Sequence, residues 1–143
     1  MEPTPADDQS SAAMLLRDAA ALGQVRVLLR TCSSFMELFC DAGSLEVDGG
    51  WLTVRRPAAH LHVELRGLRG ACLLEAGDDA YPLAPSLWLV GRCGSPSVIL
   101  ILDATADDDR KRQAAAFRRL RERWGERVGF DDSTTDTEER VLH

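Results

Sequence analysis

From Gln24 to Leu102 the apolar residues recur with period two, in short runs cut by turn residues, and this pattern limits the fold more than any other feature. Val25, Val27 and Leu29 alternate with Arg26, Leu28 and Arg30, and Phe35, Glu37 and Phe39 with Met36, Leu38 and Cys40. The DAGS segment from Asp41 to Ser44 supplies turn chemistry before LEV. Gly49 and Gly50 form a turn that tolerates positive φ, and Trp51 to Arg56 is the next strand. Pro57 has no N–H to donate to a ladder, so the chain should leave the sheet near Arg56 and re-enter around His60. In LHVEL, Leu61, Val63 and Leu65 share one face, whereas His60, His62 and Glu64 share the other. After a turn at Gly67 to Gly70, Ala71 to Glu75 continues the sheet and GDDAYPLAP is a loop. Ser86 to Val90 and Val98 to Leu102, joined by GRCGSPS, are expected to be central strands.

Helical periodicity flanks this region. Ser10 or Ser11 is placed to cap a helix running to Leu22, with Leu15, Ala19 and Leu22 on one face and Gly23 as its stop. Asp107, Asp108 and Asp109 suit the positive N-terminus of a final helix carrying Ala114, Phe117, Leu120 and Trp124 along one side. The order helix, strands, helix predicts an α+β domain: an antiparallel, split-barrel-like sheet of about seven strands between an N-terminal and a C-terminal helix. Residues 1–9 are expected to be a flexible leader, 10–130 a single domain and 131–143 a disordered acidic tail.

A chain of 143 residues is long enough for one domain with a real core, and its 45% hydrophobic and 28% charged residues fit a globular protein. No apolar run approaches the length of a membrane span. The first residues lack the basic start of a secretory signal, so a cytoplasmic location is expected. Cys32, Cys40, Cys72 and Cys93 form no CxxC pair and are read as reduced thiols. With 23 acids against 17 bases the chain is a poor nucleic-acid binder. The bases from Lys111 to Arg127 read as a solvated helix face.

Nucleotide-binding glycine loops and a GxSxG elbow are absent, leaving no recognisable catalytic constellation. His60 and His62, the only internal histidines, are the informative polar residues. An exposed or structural role accounts for them; so would a metal ion held with Glu64, although HxHxE carries no geometry of its own. A third reading is an apolar sheet face that accepts a planar ligand. Haem needs such a face, basic groups for its propionates and an axial imidazole, and Arg55, Arg56, Arg66 and Arg69 flank the histidine strand.

The tract LGQVRVLLRT, followed by GGWLTVRRPAAHLHVELRGLRGACLLE, the hairpin SLWLVGRCGSPSVILILDA and the helix DRKRQAAAFRRLRERW, resembles the HutX/ChuX family of intracellular haem carriers. That family is related to half of the larger HemS-type proteins, and the similarity runs from about Leu22 to Trp124. The resemblance implies a haem-utilisation protein, a homodimer that carries haem in the cytoplasm, and the acidic balance adds the expectation of no nucleic-acid partner. His62 in HLHV would be its axial ligand, His60 an alternative ligand or neighbour, and Arg55 and Arg56 the propionate contacts. A histidine expected near Leu29 to Thr31 is missing, which leaves one-sided ligation, His60 as a substitute, or a dimeric binding or scaffold domain that has lost haem.

Overall fold

Ser10 caps the first helix, its Oγ accepting the Ala13 N–H at 3.2 Å. The computed structural model describes residues 9–31, 33–57, 59–75 and 84–130. Cys32, most of the expected GDDAYPLAP loop, the leader up to Asp8 and the tail 131–143 lie outside the described residues. Helix α1 (Ser11–Asp18) tightens into a 3₁₀ turn, Ala19–Leu22, before Gly23. Leu15, Ala19 and Leu22 are buried, as their spacing predicts.

The period-two region forms β1 (Gln24–Arg30), β2 (Phe35–Asp41), β3 (Glu46–Asp48), β4 (Trp51–Arg56), β5 (Ala59–Glu64), β6 (Leu68–Leu74), β7 (Ser86–Gly91) and β8 (Pro96–Leu102). Helix α2 (Asp107–Trp124) and a last short strand, β9 (Arg127–Gly129), complete the described chain. All pairings are antiparallel. The strands divide into a six-stranded sheet of order β2-β1-β8-β7-β6-β9 and a three-stranded sheet, β3-β4-β5. The fold is α+β with flanking helices, and the sheets do not close into a barrel. The described residues form nine strands where about seven were expected; β9, which follows the final helix and returns to pair with β6, is one that no sequence run announced.

Gly49 and Gly50 have φ of +61° and +83°, the conformation that lets a two-residue turn match the twist of β3 and β4. Arg56 ends β4 and Ala59 opens β5, so the chain departs from the sheet at Pro57 as its missing N–H requires. The expected turn at Gly67 to Gly70 lies earlier, as a 3₁₀ turn at Leu65–Gly67.

One buried cluster joins Leu15 and Leu16 of α1, Val25 and Val27 of β1, Leu52 and Val54 of β4, Leu87 and Leu89 of β7, Leu100 of β8, and Phe117 and Leu120 of α2. A second, smaller cluster of Leu28, Ile99 and Ile101 lies on the other face of the six-stranded sheet, with Trp88 packed against it. Strands β7 and β8 are therefore central, as their apolar runs predict.

The inward face of α2 differs from the expected one. Ala114 is exposed, while Gln113 and Ala116 turn inward. Burial of Gln113 is stable because its amide donates to the Leu22 and Gln24 carbonyls at 2.8 and 2.6 Å, and its Oε1 accepts the Ala104 N–H at 3.1 Å. The helix's far end is tied to α1, where Trp124 Nε1 donates to Asp18 Oδ2 at 2.8 Å and Arg123 approaches the same carboxylate at 3.2 Å.

Candidate functional site

The three-stranded sheet has one greasy face and one polar face, and the greasy face decides which way the histidines point. Leu52 and Val54 of β4 are each 1% exposed, and Leu61 and Val63 of β5 pack against the same core. Side chains alternate along a strand, so burying Leu61 and Val63 drives His60, His62 and Glu64 outward. All three are exposed.

The pairing of β4 with β5 sets Trp51 opposite Glu64, Thr53 opposite His62 and Arg55 opposite His60. On the other flank of β4, Glu46 faces Thr53 and Asp48 faces Trp51. The outer face thus carries Trp51, Thr53 and Arg55 along its middle strand, with the two histidines on one side and two acids on the other. Trp51, 44% exposed, is the one large apolar side chain on this face; the apolar surface expected beside the histidines lies on the other side of the sheet, where Leu52, Val54, Leu61 and Val63 face the core.

Thr53 Oγ1 and His62 Nδ1 lie 3.1 Å apart in a hydrogen bond, which leaves Nε2 as the nitrogen available to a ligand. The His60 and His62 rings meet edge to face with centroids 6.1 Å apart. Arg55 donates from Nε to Glu46 Oε2 at 2.6 Å, an exposed pair that adds little to stability. The structure therefore brings His60, His62 and Arg55 together. Arg56, also exposed, leaves β4 on the opposite side, where its charge acts on Cys40. Among the described residues no group of three or more His, Cys, Asp or Glu is arranged to hold a metal ion, which overturns a His60–His62–Glu64 metal site.

Of the described cysteines, Cys40 is buried in β2, and that burial pushes its thiol pKa up. Cys93 is exposed in the β7–β8 turn, where hydrogen bonds from Ser95 lower its pKa and Arg69 adds to the effect. A cavity of about 310 Å³ lies away from the histidines, lined by Leu22, Gln24, Asp41, Arg112 and Gln113. The histidine face is an open surface.

Thr53 and Trp51 were not singled out from the sequence. The signal was present in the two-residue interval between Arg56 and Ala59, since a short hairpin connection fixes register and so puts Thr53 beside His62.

No protein-family model matches the chain, and no curated protein sequence matches it. Solved structures do. The haem-binding protein ChuX aligns with a TM-score of 0.58 at 18% identity, covering 75% of this chain and 68% of ChuX. Holo-PhuS, a haem-binding protein from Pseudomonas aeruginosa, aligns with a TM-score of 0.62 at 21% identity, covering 85% of this chain and 32% of PhuS. A protein from Agrobacterium tumefaciens aligns with a TM-score of 0.60 at 15% identity, covering 85% of this chain and 69% of that one. The chain resembles ChuX and PhuS in fold, over most of its own length and about a third of PhuS. No helix among the described residues is long and apolar enough to cross a membrane.

Proposed function

We propose that this protein binds haem reversibly and carries it within the cytoplasm as part of haem iron utilisation. The observation that carries the reading is His62 on an open sheet face, its Nδ1 engaged by Thr53 and its Nε2 left for iron, in a fold shared with haem-binding ChuX and PhuS. When bound, haem supplies an iron centre that accepts imidazole nitrogen. His62 would hold the iron through Nε2, and Trp51 would lend apolar surface beside it. His60 is the neighbouring imidazole and the substitute ligand. Arg55 uses Nε for Glu46, so its terminal nitrogens would meet a propionate; Arg56, expected as the second propionate contact, leaves the strand on the other side and does not share the histidine face.

An open sheet offers a planar ligand one face only. A homodimer belongs to this proposal, and Phe35, Met36 and Phe39, exposed apolar residues on edge strand β2 of the six-stranded sheet, are surface that a second copy would cover. No nucleic-acid partner is part of the reading.

Hemin titration tests it. Micromolar hemin should give a saturable Soret change in the wild type that weakens at least tenfold in His62→Ala, and light scattering of the same sample should give twice the chain mass. Hemin that stays free at micromolar protein overturns carriage and leaves a non-catalytic binding or scaffold domain of the same fold. A monomer at high concentration overturns the dimer.

A further inference from the structure

We infer that Thr53 is a positioning residue: its hydroxyl holds the His62 ring so that Nε2, and not Nδ1, is presented to an incoming iron, and this selects His62 over His60 as the ligand. The inference rests on the haem-binding reading of this face.

The two histidines leave the same strand on the same side, yet their surroundings differ. His62 lies opposite a hydroxyl, whereas His60 lies opposite Arg55, a cation with no acceptor. The hydrogen bond at 3.1 Å joins His62 Nδ1 to Thr53 Oγ1. The contact described for the His60 ring is its edge-to-face meeting with His62.

Thr53 is well suited to hold a ring still. It is 9% exposed, sits on the middle strand between β3 and β5, and its β-branched side chain has few rotamers in a strand. The ring it contacts is exposed and would otherwise turn about two side-chain bonds. An imidazole that binds metal through one nitrogen gives the proton on its other nitrogen to a nearby acceptor, which fixes both tautomer and orientation. In this role the Thr53 oxygen, 3.1 Å from Nδ1, is that acceptor. With Nδ1–H donating to Oγ1, the lone pair resides on Nε2.

Two variants separate the hydroxyl from the shape of the side chain. Thr53→Val keeps the branching and removes the acceptor, and Thr53→Ser restores an acceptor. In the ligand-free protein, nitrogen NMR of the His62 ring in alkaline buffer, where imidazole is neutral, should show the proton on Nδ1 in the wild type and in Thr53→Ser. Thr53→Val should shift the proton toward Nε2. Hemin binding should weaken about tenfold in Thr53→Val, with most of that loss recovered in Thr53→Ser. A wild-type ring protonated on Nε2, or a Thr53→Val protein with unchanged tautomer and unchanged hemin affinity, overturns the role. Should the wild type ignore hemin while the tautomer still follows Thr53, the haem reading falls and the positioning of His62 stands.

Discussion

The two sheets solve different problems with the same alternating pattern. In the six-stranded sheet, β8 is buried from Val98 to Leu102, because the main core takes one face and the Leu28–Ile99–Ile101 cluster the other. In the three-stranded sheet, β5 gives its core only Leu61 and Val63, both half-buried, and leaves His60, His62 and Glu64 in solvent. A strand buried on both faces has no polar position to spare for a ligand. A strand buried on one face has every second residue free for chemistry, held in place by the packing beneath it. Stability should therefore reside in the large sheet, and ligand recognition in the small one.

Leu100→Ala is the strongest way to break this division. Leu100 is 0% exposed and lies between Val27 of β1 and Leu87 of β7. Truncation leaves a cavity at the centre of the sheet and should cost about 2–5 kcal/mol, read as a lower urea midpoint. The fraction still folded should bind hemin as the wild type does. A cost below about 1 kcal/mol would mean that the core can collapse around the gap and that the large sheet is not the stable half.

Gly70→Ala probes the edge of the same sheet. Gly70 pairs with Gly129 of β9, and a Cβ there would run into the Val128 carbonyl. Separation of β9 from β6 should cost about 1–3 kcal/mol. Hydrogen exchange should quicken at the Phe130 N–H, which donates to the Arg69 carbonyl at 2.9 Å, while the His62 ring signals stay in place. Movement of those signals would couple the two sheets more tightly than their separate ladders suggest.

What the chain revealed in advance follows the same boundary between local and distant interactions. Pro57, Gly49-Gly50 and the Ser10 cap act within a few residues, so the β4 end, the β3–β4 hairpin and the start of α1 were legible. The outward aim of His60 and His62 was legible too, since alternation and two apolar neighbours decide it. Strand β9 was not: Arg127–Gly129 is three residues long with a single apolar side chain, and it becomes a strand only because β6 offers an edge. Gln113 reads as a surface residue until the Leu22 and Gln24 carbonyls come within reach from some ninety positions away. Thr53 belongs to this second group, since a threonine in a strand signals nothing until register sets a histidine opposite it.

The smallest effect should come from His60→Ala, and it sharpens the comparison most. His60 is exposed, so the substitution should change stability by no more than about 0.5 kcal/mol, within the range of ordinary surface changes. The small sheet's outer face would then be shown to tolerate loss of a ring at almost no structural cost, where the buried centre of the large sheet, at Leu100, should not tolerate truncation. Its consequence for binding should also be modest. Thr53 holds His62 independently of His60, so hemin affinity should fall less in His60→Ala than in His62→Ala. The reverse order, with His60→Ala abolishing the Soret change and His62→Ala sparing it, would move the ligand two residues along β5 to the imidazole that no hydroxyl orients.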